Sequence, residues 1–270
     1  MRKLGILGAI TLLASLSAPA LALDLSTAVI TDSITSLNLR AEGMTWDGSY
    51  LWVTNAYDNT FVKVSPITKS IVKTIPGFSA AEGLAWDGSY LWTFDNNNQN
   101  LIEINPDNGA ILYSVNVGRG GRGGLTYDGH YFWKADRPEY LTIDPSTGGI
   151  VDTISSIDLP GIEEGLAYDG TYLYNIAFTN TIYRIDPITE AVLDSFLLPP
   201  GAYNGLTFDG QSLWAADYGN QTLYKISSAP VPEPGSLLLL GSGLIGLVGC
   251  RRNFKKYVSL WLHSSKEMTR

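Results

Sequence analysis

The chain has 270 residues, 45% of them hydrophobic and 16% charged, with a formal net charge of -8 and one cysteine, Cys250. That length suits one large β domain rather than a string of small ones. Eight basic residues lie at the two ends, which leaves 10 Lys/Arg against 25 Asp/Glu between Asp24 and Pro234, about -15. So acidic a body argues against a nucleic-acid partner, which needs a basic footprint, and a single cysteine excludes an internal disulfide.

In chain order, Met1-Arg2-Lys3 is a basic start, Leu4 to Leu16 an apolar run, and Ala20-Leu21-Ala22 a small-residue cleavage site. Together they read as a secretory signal peptide over 1–22. A propeller domain is expected over 23–230.

Ala41 opens AEGMTWDGSYLWVTN, and Ala81 opens the near-copy AEGLAWDGSYLWTFD. Weaker copies follow at Gly123 (GGLTYDGHYFW), Glu164 (EGLAYDGTYLY) and Asn204 (NGLTFDGQSLW). The anchoring glycines Gly43, Gly83, Gly124, Gly165 and Gly205 are 40, 41, 41 and 40 residues apart. A period near 40 made of short strands predicts a β-propeller.

Each repeat reads as four strands. In the first these are Gly43 to Trp46, Tyr50 to Thr54, Thr60 to Val64 and Ser70 to Ile75. Asp47-Gly48 predicts a two-residue type I′ turn, since both central positions need positive φ. Ser65-Pro66 and its equivalents Asn105-Pro106, Asp144-Pro145 and Asp186-Pro187 predict the turn into the fourth strand. Trp52, Trp92, Trp133, Tyr174 and Trp214 recur at one place. Bulk on both faces of that strand predicts blades packed face to face, with these aromatics as core.

The fifth repeat ends at Ser228 after three strands. Thr27 to Ile34 is similar to the fourth strand at Ala191 to Phe196. The N-terminal strand is therefore predicted to complete the last blade, making an all-β, five-bladed propeller closed without an open gap.

The segment A-E-G-[ML]-[TA]-W-D-G-S-Y-L-W, with I-D-P-x-T further on, resembles the repeats of plant-type glutaminyl cyclases and their bacterial relatives. It is also similar to the wider streptogramin-lyase and gluconolactonase-like propellers. The resemblance covers Asp24 to Ser228 and implies five blades. It is specific for fold rather than activity.

Two sets of polar residues are predicted at one mouth of the central channel. Just before the repeat glycine stand Glu42, Glu82, Gly123, Glu164 and Asn204. At the end of the second strand stand Asn55, Asp95, Asp136, Ala177 and Asp217. Hard cations such as Ca²⁺ take several carboxylate oxygens at once, so the pattern suits a cation or polyol site. The other reading is polar loop ends at a solvated mouth, kept acidic by repeat duplication. In gluconolactonase-like propellers a Glu of a matching Glu-Gly pair is a metal ligand, which implies that role for Glu42, Glu82 or Glu164. No nucleophile–base pair is visible, and His130 follows an Asp-Gly turn on the other face. Gly118 to Gly124 (GRGGRGG) precedes a strand rather than a helix. It reads as a loop in which Arg119 or Arg122 meets an anionic group.

Val231-Pro232-Glu233-Pro234 is followed by an apolar run to Gly249 and then by Arg251-Arg252. These three parts in order resemble the PEP-CTERM sorting signal. That resemblance implies an exosortase-type processing enzyme as partner, a membrane-held C-terminal apolar helix over 231–252, and exopolysaccharide-associated export to the surface or medium. The family usually stops soon after the arginines, whereas a basic tail, 253–270, continues here.

Two functions stay open on the sequence. One is a surface or matrix binding module for a cation, a glycan or a protein. The other is a glutaminyl-cyclase-like or metal-dependent lactonase or lyase enzyme using the acidic mouth.

Overall fold

The computed structural model describes residues 22–229, apart from 36, 80, 137–138, 155–162 and 178–179. The signal peptide, apart from Ala22, the C-terminal apolar helix, the sorting segment 231–252 and the tail 253–270 lie outside the described residues. Among the described residues no helix is long and apolar enough to cross a membrane.

A 3-10 turn at Leu25–Thr27 leads into β1 (Ala28–Ile34). Blade 1 is β2 (Ala41–Trp46), β3 (Leu51–Asn55), β4 (Thr60–Ser65) and β5 (Ser70–Pro76). Blade 2 is β6 (Ala81–Trp86), β7 (Leu91–Asp95), β8 (Asn100–Ile104) and β9 (Ile111–Asn116). Blade 3 is β10 (Leu125–Tyr127), β11 (Phe132–Asp136), β12 (Glu139–Ile143) and β13 (Ile150–Ile154). Blade 4 is β14 (Glu163–Tyr168), β15 (Leu173–Ala177), β16 (Thr181–Asp186) and β17 (Ala191–Leu197). Blade 5 takes β18 (Tyr203–Phe208), β19 (Leu213–Asp217) and β20 (Thr222–Ser228).

These strands form five four-stranded antiparallel sheets. The fifth has the order β1-β20-β19-β18, so the chain's first strand completes the last blade as predicted. Its register runs from Ala28 opposite Ser228 to Ile34 opposite Leu223. The segment ahead of it is latched as well. Leu23 and Leu25 are buried beside Ile176 and Tyr203, and the Leu23 carbonyl accepts from the Tyr174 hydroxyl at 3.1 Å and from Arg184 Nη1 at 3.0 Å.

The core is five clusters, one per blade interface. Trp52 of blade 1 packs on Leu84, Leu91 and Ile104 of blade 2. Trp92, Trp133, Tyr174 and Trp214 do the same toward the next blade round the ring. All five aromatics are buried. Every residue of β3, β7, β11 and β19 is buried, whereas the outer strands β5, β9 and β17 are mostly exposed.

The repeat glycines let the inner strands meet round the channel. A Cβ on Gly43 would lie 2.7 Å from the carbonyl carbon of Gly83, too close for any side chain. Gly124 is blocked in the same way by Gly165 and Leu166, and a Cβ on Gly205 would be tight, 3.1 Å from Met44 and Ala216.

The Asp-Gly turn differs from the two-residue type I′ expectation. Gly48 has φ +95°, but Asp47 does not take positive φ. The turn is centred on Gly48 and Ser49, and Asp47 N–H donates to the Tyr50 carbonyl at 3.0 Å. Asp47 Oδ1 accepts from the N–H groups of Ser49 at 3.0 Å and Tyr50 at 2.7 Å, so the side chain replaces a backbone acceptor. An aspartate bonding its own backbone two or three residues on explains the Asp-Gly pair without a second left-handed residue.

Candidate functional site

In four blades the inner strand begins before the repeat glycine rather than at it, and its pairing slips there, whereas β10 begins only after Gly124. In β14 the register jumps from Glu163 to Gly165, leaving Glu164 unpaired. In β18 it jumps from Tyr203 to Gly205, leaving Asn204 unpaired. In β2 it jumps from Ala41 to Met44, and in β6 from Glu82 to Leu84. A β-bulge bends a strand and re-aims a side chain. Here the bulges lie at the Glu-Gly or Asn-Gly step of four blades.

Glu42, Glu82, Glu164 and Asn204 line one small, solvent-open pocket together with Arg122 and Gly123. Its charges are unevenly satisfied. Arg40 Nη2 lies 3.5 Å from Glu42 Oε1, and Arg122 Nε lies 3.4 Å from Glu82 Oε1. Glu164 is only 9% exposed and has no hydrogen-bond or ion-pair partner among the described residues. Asn204 Oδ1 is buried and unpartnered too.

Burial raises the carboxyl of Glu164 to about 7; the neighbouring charge of Glu82 adds to the rise, and Arg122 and Lys134 oppose it. Burial also raises Glu42, partly offset by Arg40. A carboxyl near 7 in a pocket can hold or release a proton at neutral pH.

Lys134 is a functional candidate that sequence reasoning missed. It is fully buried, with Nζ donating to the carbonyls of Gly121 at 2.6 Å, Ala135 at 3.0 Å and Gly123 at 3.3 Å. Burial lowers its ammonium to about 8, while Asp136, Glu82 and Glu164 favour the charge. The one visible signal was a lysine in the middle of the apolar stretch Phe132-Trp133-Lys134-Ala135. At that level Thr93 and Asn175 also donate to the inner-strand glycine, the Gly83 carbonyl at 2.7 Å and the Gly165 carbonyl at 3.1 Å.

The second predicted set is engaged in its own loops. Asn55 Oδ1 accepts from the N–H groups of Arg40 at 3.0 Å and Tyr57 at 3.3 Å. Asp95 Oδ1 accepts from Asn97 N–H at 2.9 Å, and Oδ2 accepts from Asn98 Nδ2 at 2.6 Å. Asp217 Oδ1 accepts from the N–H groups of Ala202 at 3.1 Å and Asn220 at 3.0 Å. Asp136 Oδ2 accepts from Arg119 Nε at 2.9 Å, and Arg119 Nη2 also reaches Glu139 Oε2 at 2.7 Å. Asn55 lines a neighbouring crevice with Glu42 and Phe78; none of Asn55, Asp95, Asp136 and Asp217 lines the mouth pocket. His130 is exposed in its turn.

Among the described residues no three His, Cys, Asp or Glu side chains converge closely enough to hold a metal ion. Glu82 faces a guanidinium, and the third blade offers Gly123 where a ligand would stand.

Residues 230–252 match the model of the PEP-CTERM protein-sorting motif. The chain thus carries a signal for secretion and membrane sorting. No curated protein matches by sequence. Among solved structures, the crystal structure of Myxococcus xanthus glutaminyl cyclase is similar at 16% identity and a TM-score of 0.62, covering 74% of this chain and 95% of that one. Kuenenia stuttgartiensis hydrazine synthase is matched more loosely, at 17% identity and a TM-score of 0.43, over 70% of this chain and 59% of that one. At 16% identity the likeness to the glutaminyl cyclase is one of fold.

Proposed function

We propose that the chain is an exported interaction module, sorted to the cell surface or extracellular space, whose channel mouth binds a cationic group on a surface glycan or protein. The observation that carries this reading is Glu164, 9% exposed, without a partner, and lining a pocket with two further glutamates. A largely buried carboxylate without a direct ion pair, in a pocket with two more glutamates, favours an incoming cation. The sorting motif supports a surface destination, reached across the inner membrane with processing by an exosortase-type enzyme at Val231-Pro232-Glu233-Pro234, and with Arg251 and Arg252 on the cytoplasmic side.

The test is calorimetric titration of the purified protein with ethylamine, beside a Glu82→Gln/Glu164→Gln variant. Saturable binding that the double variant loses supports the module. No binding to the parent removes it.

A second reading is favoured by the Glu164 carboxyl near pH 7. A glutaminyl-cyclase-like enzyme needs a proton donor and acceptor working at that pH. Incubation with a peptide beginning in glutamine, followed by mass spectrometry, would show a loss of 17 Da (about one ammonia) if this reading holds.

A further inference from the structure

The third blade departs from the others at the mouth. It has Gly123 where the others have Glu or Asn, and its loop brings Arg122 into the same pocket. The root of Arg122 is fixed on both sides. The carbonyls of its two chain neighbours, Gly121 and Gly123, are held by the buried ammonium of Lys134. Three residues earlier, Arg119 is clamped between Asp136 and Glu139. Gly120 lies against the Phe94 ring, where no side chain would fit.

The Arg122 side chain itself is free to act. It is 78% exposed, its one ion pair among the described residues is with Glu82 at 3.4 Å, and its charge also acts on Glu42 and Glu164. A guanidinium has five donors in a planar fork suited to carboxylate or phosphate. Nε faces Glu82, which leaves the terminal nitrogens for another anion. The same pocket holds Glu164, which has no ion pair among the described residues, and the unpartnered Asn204 Oδ1.

We infer that the mouth selects a compact zwitterion, with its ammonium at Glu164 and Asn204 and its anionic group on Arg122. This rests on the cation-binding reading above and narrows it. The two subsites adjoin, since Arg122 already touches a ring glutamate. The ligand's opposite charges must therefore be only a few atoms apart. An amino-acid unit and a phosphoethanolamine group share that chemistry, and both occur as free solutes and as ends of larger molecules.

Titrations of the purified protein with ethylamine, β-alanine and phosphoethanolamine test it. The zwitterions should bind about tenfold more tightly than ethylamine, the scale of one extra charge-assisted hydrogen-bonded pair. Arg122→Gln should abolish the zwitterions' advantage over ethylamine. Glu164→Gln should weaken all three. The ratio between the two zwitterions identifies carboxylate or phosphate as the anion read by Arg122. Ethylamine binding as tightly as both zwitterions would overturn the inference and leave the cation site intact. So would a zwitterion advantage that survives undiminished in Arg122→Gln. Binding of none of the three removes both. The Arg122 side chain is exposed, so equal melting temperatures should confirm that the variant is folded.

Discussion

The indole Nε1–H of Trp52 donates to Asp47 Oδ2 at 2.9 Å, five residues back along the chain. The same bond recurs in every blade: Trp92 to Asp87, Trp133 to Asp128, Trp214 to Asp209, and the Tyr174 hydroxyl to Asp169. One carboxylate thus folds the turn with Oδ1 and orients the interface aromatic with Oδ2. The Asp-Gly-x-x-x-aromatic spacing of the repeat is this device.

Replacing Asp47 with Ala removes acceptors from Ser49, Tyr50 and Trp52 and breaks the 2.8 Å pair with Lys63. A buried donor left unmet costs about 1–3 kcal/mol. Urea unfolding should show Asp47→Ala destabilised by roughly that amount, with an unchanged slope.

The pH dependence has a definite sign. Burial alone would raise Asp47, but hydrogen bonds from Lys63, the turn amides and Trp52 outweigh it and hold the carboxyl below 3.8. Asp209 is lowered in the same way by Trp214, the turn amides and Lys225. A depressed folded value stabilises above the unfolded value and is lost as pH falls through the folded one. Acid unfolding should therefore set in below about pH 4 and shift upward in the Asp47→Ala variant, monitored by tryptophan fluorescence.

Glu164 works in the opposite direction. Its carboxyl is raised to about 7 from 4.5, so the folded state holds the extra proton between those values. Stability should fall as pH rises through that window, by about 3 kcal/mol at roughly 1.4 kcal/mol per unit. Glu164→Gln should melt higher than the parent at pH 8 and about equally at pH 4.5. Ethylamine binding should strengthen between pH 6 and 8 and lose that dependence in the variant.

Gly43→Ala has no left-handed backbone to strain and fails on contact alone, 2.7 Å from Gly83. Overpacking of this kind costs about 1–3 kcal/mol. Gly88→Ala meets nothing within 4 Å, and its cost comes from φ +103°. Mutating both Gly43 and Gly83 to Ala should depart from additivity in thermal melts, because the two sites touch. Gly43 with Gly88 should add.

Millimolar Ca²⁺ or a chelator should leave the melting temperature unchanged. A ligand at 100 times its Kd would add about 2.7 kcal/mol. A clear Ca²⁺-dependent rise would show that Glu42, Glu82 and Glu164 do gather round a metal.

The repeat period, the five aromatic positions and the displaced first strand were legible because each is local or periodic. A 40-residue grammar leaves its mark on the sequence, and a missing fourth strand at one end shows beside a spare strand at the other. The set Glu42, Glu82, Glu164 and Asn204 was visible for the same reason. The engagement of Asn55, Asp95, Asp136 and Asp217 within their own loops was not, since residue type does not say which donor a carboxylate meets.

What the sequence alone determined is the number of blades, the order of strands, the closing strand at Ala28 to Ile34 and the aromatics between blades. Alternation and periodicity fix these through burial. Tertiary structure decided the site. Bulges at Glu164 and Asn204 turn those side chains into the mouth, and the ammonium of Lys134 fixes the loop that carries Arg122. Both depend on strands 40 residues apart approaching closely enough, at their glycines, for one blade's charges to govern the next.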